Sequence, residues 1–260
     1  MTAKPRLAVH KFSSCDGCQL AFLNLGEALL TLDGLVELVH FAEAGLCAPD
    51  ADVDIAFVEG SISTHKDRER IRAVRANSHY LVTIGACATA GGLQALRNMA
   101  DAGQWLAEVY ARPDYIDSLD QVSPIKDNVK VDLELWGCPV NSRQVLAATR
   151  SLLFGVSPLP ENDSVCLACK RQQLVCVLVA QGQPCLGAVT RSGCGALCPR
   201  FGRDCYGCYG PADHANTDAL GQRLAGLGLM PSDIARRFHA INSQAEKFLH
   251  AGRQWVKPDD

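Results

Sequence analysis

"VDIAFVEG", residues 53–60, is nearly continuous in apolar residues and ends in a carboxylate and a glycine. A strand with one wet face would alternate apolar and polar residues. This one reads as buried on both faces, as in a parallel sheet covered by helices. The segments around it alternate in kind. Upstream, "RLAVHKF" (6–12) and "LVELVHFA" (35–42) are strand candidates, and Phe22, Leu25, Leu29 and Leu32 between them recur at roughly helical spacing. Downstream, "HKDRERIRAVRAN" (65–77) is an amphipathic helix with Ile71 and Val74 inward, and "HYLVTIGAC" (79–87) is a fourth strand. A helix over "GGLQALRNMA" (91–100) and a fifth strand over "VKVDLELWGC" (129–138) follow. "NSRQVLAATRSLLFG" (141–155) closes the series, with Asn141 as cap, Gln144 at the capping-box position and Gly155 as stop. This alternation predicts an α/β fold, a doubly wound parallel sheet of flavodoxin-like type.

"SPLPENDS" (157–164) interrupts the pattern with two prolines and turn formers, which places a domain boundary between 1–156 and 157–260. Residues 164–211 then carry eight cysteines among glycines and prolines with almost no periodicity. Such a segment cannot build a core from its side chains alone, so something bound must organise it. Helical patterns return after residue 217. Pro231 opens a helix on which Ile234, Phe238, Ile241, Ala245 and Phe248 share a face. The second domain is therefore expected to be smaller and irregular, followed by C-terminal helices.

Thirteen cysteines in 260 residues are the outlier in an otherwise ordinary composition. The net charge of −3 gives no reason to expect nucleic acid or an anionic membrane surface as partner. "MTAKPRLAVHKFSSC" contains neither an apolar export segment nor a twin-arginine pair, and no apolar run approaches the roughly 20 residues of a membrane span. The expectation is a cytoplasmic chain without a membrane span, where structural disulfides are rare and many cysteines point to metal.

Cys15 and Cys18 follow the first strand, Cys87 ends the fourth and Cys138 ends the fifth. Ligands of doubly wound sheets bind outside the carboxyl ends of the strands, so four sulfurs distant in sequence would meet at one edge. Gly85 and Gly137 let the backbone turn there, and Pro139 removes a donor just after its cysteine. Glu59 closes the third strand at the same edge, as part of a proton or water network or simply as a solvated carboxylate. Each cysteine alone could equally be packing, and Cys15 with Cys18 could be a thioredoxin-like dithiol. The other eight, Cys166, Cys169, Cys176, Cys185, Cys194, Cys198, Cys205 and Cys208, suffice for two four-ligand sites. A Cys-Pro step at Cys198 and a closing Cys-x-x-Cys echo the bacterial ferredoxin run, whereas zinc sites usually pair two knuckles across a longer gap. Twelve thiolates make three cubane sites, and Cys47 is left over in a loop.

The motifs "SSCDGCQ", "DIAFVEGSIST", "IGACA", "WGCPV", "CLAC", "PCLGAVTRSGCGALCP" and "CYGC" resemble the small subunit of nickel–iron hydrogenases, particularly the cytosolic, nicotinamide-linked sulfhydrogenase delta subunits. The resemblance implies a proximal 4Fe–4S cluster on Cys15, Cys18, Cys87 and Cys138. It implies a distal one on Cys166, Cys169, Cys176 and Cys185, and a medial one on Cys194, Cys198, Cys205 and Cys208, with exchange of a ligand between the last two left open. It also implies a separate large subunit holding the nickel–iron centre. Flavin and iron–sulfur diaphorase subunits would carry FAD and NAD(P). Exported relatives often have His where Cys166 stands and a three-iron medial cluster; Cys194 supplies a fourth thiolate here. Catalysis on H2 would belong to the partner, and this chain would relay electrons. The alternatives are a quinone-reductase-type iron–sulfur subunit of a respiratory complex and a zinc-stapled scaffold. The quinone-reductase type carries adjacent cysteines in its first motif, where this chain has Cys15-Asp16-Gly17-Cys18.

Overall fold

The computed structural model describes residues 4–159 and 161–256. Five parallel strands, β1 Arg6–Lys11, β2 Glu37–Phe41, β3 Val53–Glu59, β4 Ser78–Ile84 and β5 Leu133–Leu135, form one sheet in the order β2-β1-β3-β4-β5. This is the flavodoxin-like order that the alternation predicts, with the strand order reversing between β1 and β3. Both faces are buried, as the apolar run of β3 requires. Leu7, Val9, Ile55, Phe57, Val82 and Ile84 pack on one side with Phe22 and Val145, while Ala8, Ala56, Val58 and Leu81 pack on the other with Ile71 and Val74.

The helices follow from local chemistry, with departures from the periodicity. The run from Phe22 to Leu32 is two helices, α1 Gly17–Leu23 and α2 Glu27–Leu35, because Gly26 takes φ +58 between them. α3, His65–Ala76, begins at a reciprocal capping box of Thr64 and Asp67. β4 runs into α4, Gly85–Ala90, and the expected helix at 91–100 is a 3-10 segment, Leu93–Met99, entered through the positive-φ pair Gly91 and Gly92. α5, Ala102–Val109, precedes the short β5, and α6, Ser142–Leu153, is capped by the Asn141 side chain accepting from the Arg143 amide.

His10 of β1 and His40 of β2 stack with ring centroids 4.7 Å apart and are almost fully buried. Burial, then repulsion from His40 and Arg70, pushes His10 down to about 3, and burial lowers His40 as well, against a small opposing pull from Asp50. A base kept neutral in the fold stabilises it above its unfolded pKa of 6.5, and that stability is lost as pH falls toward 3. Unfolding free energies from urea titrations of the full chain should therefore fall between pH 6.5 and pH 4 by about 1.4 kcal/mol per pH unit for His10 alone. His10→Gln should flatten the slope by that amount.

The chain forms two compact units, Met1–Leu135 with Pro139–Pro158, and Trp136–Cys138 with Leu159–Asp260. The second holds three short helices, α7 Val165–Arg171, α8 Val177–Ala180 and α9 Leu197–Arg200, among irregular loops. Their small core is Val165, Val177 and Ala196 completed by Cys185 and Cys205, so thiols do part of the packing. Then come α10 Thr217–Gly226, α11 Pro231–His239 and α12 Glu246–Arg253. The single helix expected from Ile234 to Phe248 breaks after His239, yet Phe238 and Phe248 still meet, with ring centroids 5.8 Å apart. Among the described residues no helix is long and apolar enough to cross a membrane.

Candidate metal centres

Lys11 and Glu59 sit side by side at the carboxyl ends of β1 and β3, where the strand order reverses. The chain leaving β1 stays hydrogen-bonded to the chain leaving β3: Phe12 donates to the Glu59 carbonyl at 2.8 Å, and Ser13 and Ser61 exchange amide bonds at 3.2 and 2.9 Å. Asp16 then adopts φ +65, held by Lys11 Nζ at 2.7 Å, and this turn launches α1. Cys15 lies exposed before the turn, and Cys18 lies buried in the first turn of the helix. The Cys18 amide donates to Glu59 Oε1 at 2.9 Å, and the Val140 amide approaches Cys18 Sγ at 3.5 Å. Burial pushes the Glu59 carboxyl up, and bonds from Cys18 and Gln19 offset that only in part.

Cys87 is one turn into α4 rather than at the strand end, because β4 stops at Ile84 and Gly85 takes φ +83. Gly92 closes over it. A Cβ at Gly92 would stand 2.5 Å from Cys87 Sγ and 2.8 Å from Cys87 Cα. Gln94 Nε2 donates to the Ser13 carbonyl at 3.1 Å, tying the loop after β4 to the loop that carries Cys15. The roles of Gly92 and Gln94 were not read from the sequence; only the glycine pair after "GACATA" signalled a close approach. Cys138 follows the end of β5 by three residues, on the Trp136–Cys138 segment that belongs to the second unit.

Within the second unit the cysteines act on one another. Burial raises Cys166, Cys169 and Cys185, Cys169 to about 11, and repulsion adds to it among all pairs of Cys166, Cys169, Cys176 and Cys185. Cys198 and Cys208 are raised by burial and then by Cys194, and Cys208, which also feels Cys198 and Cys138, reaches about 12. Cys205, almost fully buried, borders both groups: its amide donates to Cys185 Sγ at 3.2 Å, and its thiol is raised by burial and by Cys185 and Cys208. Cys47 stands exposed in the loop after β2.

Thiols so crowded are poor acids until a cation replaces their protons. The donor set, thiolate-rich and partly buried with amides directed at sulfur, therefore fits iron–sulfur clusters. Among the described residues no three His, Cys, Asp or Glu side chains converge tightly enough to hold a single ion.

Comparison with known proteins agrees with this donor chemistry. Residues 15–152 match the family "NADH ubiquinone oxidoreductase, 20 Kd subunit". The sulfhydrogenase 2 subunit delta of Pyrococcus furiosus is 34% identical over 236 residues, covering 91% of this chain and 98% of that one. A vhu subunit of the F420-non-reducing hydrogenase of Methanocaldococcus jannaschii is 30% identical, over 82% of this chain and 84% of that one. A solved NAD+-reducing [NiFe]-hydrogenase chain is 29% identical with a TM-score of 0.55, covering 60% of this chain and 94% of that one. The family match spans the sheet domain, and the NAD+-reducing relative covers only 60% of the chain, whereas the sulfhydrogenase and F420-non-reducing hydrogenase relatives cover 91% and 82% of it. The chain accordingly belongs to the NADH ubiquinone oxidoreductase 20 kDa subunit family and, within it, to the electron-transferring small subunits of nickel–iron hydrogenases.

Proposed function

We propose that this chain is the relay of a cytoplasmic nickel–iron hydrogenase. It would carry electrons through three 4Fe–4S clusters from a partner large subunit to a flavin module that reduces NAD(P). Cys15, Cys18, Cys87 and Cys138 are the ligands of the proximal cluster, Cys166, Cys169, Cys176 and Cys185 of the distal one, and Cys194, Cys198, Cys205 and Cys208 of the medial one. The observation that carries the reading is the mutual crowding of the cysteines of the second unit, in which Cys166, Cys169, Cys176 and Cys185 act on one another and Cys194 acts on Cys198 and Cys208, with Cys194 also acting on Cys169 and Cys185 on Cys198. The order of the motifs along the chain and the relatives' names support the rest. When bound, such clusters exchange single electrons with little movement of their surroundings. The protein holds the thiolates, directs the Val140 and Cys205 amides at sulfur, and buries Cys18, Cys185 and Cys205 from water, each of which tunes potential. Exposed Leu93, Trp105, Val109 and Tyr115 in the first unit are the kind of apolar surface that a large subunit would cover.

Protein purified without oxygen should be brown, with about twelve irons per chain and three sets of cubane signals on reduction. A colourless chain holding zinc would overturn the reading.

A further inference from the structure

Trp136 stands between the last strand and Cys138. β5 ends at Leu135, Gly137 turns the backbone at φ +145, and Cys138 follows. A chain that bends at a glycine does not by itself fix the residue after the bend. The Trp136 side chain supplies the missing constraint. It is buried against Gly210, where a Cβ would overlap its six-membered ring. The Gly210 side of this contact is held from several directions. Gly210 has φ +69, its amide donates to the Gly207 carbonyl at 2.9 Å, and its carbonyl accepts from the Arg191 amide at 2.9 Å. Asn242 Nδ2 donates to the same Gly207 carbonyl at 2.8 Å. The Arg191 guanidinium lies 5.7 Å from the Trp136 ring centroid and is fixed in turn by Asn162 at 2.6 Å and Asp213 at 3.0 Å. Trp136 thus meets a tight turn and a clamped cation, both of them parts of the second unit.

Two residues after the indole comes Cys138, and two residues before Gly210 comes Cys208. The Cys138 amide donates to the Cys208 sulfur. The Trp136–Gly210 contact and the Cys138–Cys208 bond are therefore two rungs joining the same two short segments. Only the first of them is a close-packed contact between a large side chain and a bare backbone, so it sets how near the second can come. Cys138 and Cys208 are assigned above to different clusters. An N–H directed at a cluster sulfur favours the reduced, more negative state and raises the potential.

Resting on the relay reading above, we propose that Trp136 is a positioning residue: seated on Gly210, it holds the Cys138 amide on the Cys208 sulfur and so sets the potential of the medial cluster. An indole that merely filled space would support folding and iron content. It would leave the potential of one cluster no different from the others in its response to substitution.

The test uses the assembled hydrogenase, purified anaerobically and poised at a series of potentials, with its cluster signals followed by low-temperature electron paramagnetic resonance. Trp136→Leu should keep its iron and shift one midpoint downward. The oxidised-to-reduced ratio of that cluster at a fixed potential should change about tenfold, or about 59 mV for one electron. The other two midpoints should stay where they are. Trp136→Phe keeps a flat ring at the site and should keep most of the wild-type value. Gly210→Ala should shift the same cluster as Trp136→Leu. Gly202→Ala, with the same φ of +69 and nothing within 4 Å of its Cβ position, should shift none. If Trp136→Leu loses iron, Trp136→Phe should still move the same midpoint in the same direction by a smaller amount. Unmoved midpoints in variants with full iron, three midpoints moving together, or equal shifts in Gly202→Ala and Gly210→Ala overturn the positioning role. Loss of iron from Trp136→Phe as well would make the indole a structural residue and overturn it too. Wild-type protein without clusters would instead overturn the relay itself.

Discussion

Gly92→Ala should remove about four irons from each chain and cut hydrogen-driven viologen reduction by at least about a hundredfold, as severe a loss as Cys87→Ser. The new methyl group would stand 2.5 Å from Cys87 Sγ and 2.8 Å from Cys87 Cα, so the sulfur must leave its position. Backbone relaxation offers little relief, because Gly92 has φ +63, where a Cβ costs roughly 1–2 kcal/mol. Gly26→Ala separates the two causes. That glycine has nearly the same φ, +58, with nothing within 4 Å of its Cβ position. It should therefore lose a little stability and keep all its iron. Iron content and reduced-state spectra of the two variants, side by side, decide whether displacement of Cys87 or backbone strain is responsible. Equal iron in both would show that Gly92 does not position a ligand.

Gly252→Ala should destabilise the second unit by about 2–3 kcal/mol and lower its thermal midpoint by roughly 10 °C. Helix propensity argues the opposite sign, since replacing glycine by alanine within a helix ordinarily gains about 1 kcal/mol. α12 crosses α11 where Gly252 leaves room for the His239 ring, and a Cβ there would overlap that ring. His239 is buried, with Nε2 3.3 Å from the Leu249 carbonyl, and burial lowers its pKa, so it cannot swing outward without losing both packing and its partner. The pairing predicts a strong coupling: adding His239→Ala to Gly252→Ala should recover much of the loss, where independent sites would add. Thermal unfolding followed by far-ultraviolet circular dichroism measures both.

Strand identity and order were legible because burial on both faces leaves an unmistakable run of apolar residues, as in β3, and because parallel strands require intervening helices. The candidate ligands were legible as residue types, since thirteen cysteines in 260 residues, eight of them within 164–211, ask for a bound group. Helix limits were less legible. Gly26 divides a continuous helical period, and the break between α11 and α12 leaves Phe238 and Phe248 in contact across two helices rather than along one. A period records which residues face inward and is blind to whether the backbone between them stays helical.

By itself, then, the sequence determined the α/β class, the β2-β1-β3-β4-β5 type of sheet and the thiol-rich character of the second unit. Each depends on composition and spacing, which are local quantities. Only the tertiary structure decided that Cys87 sits inside a helix and that Gly92 and Gly252 are small because a sulfur and an imidazole occupy the space beside them. Those facts depend on distances between residues far apart in the chain, and packing at the density of a solid sets such distances residue by residue.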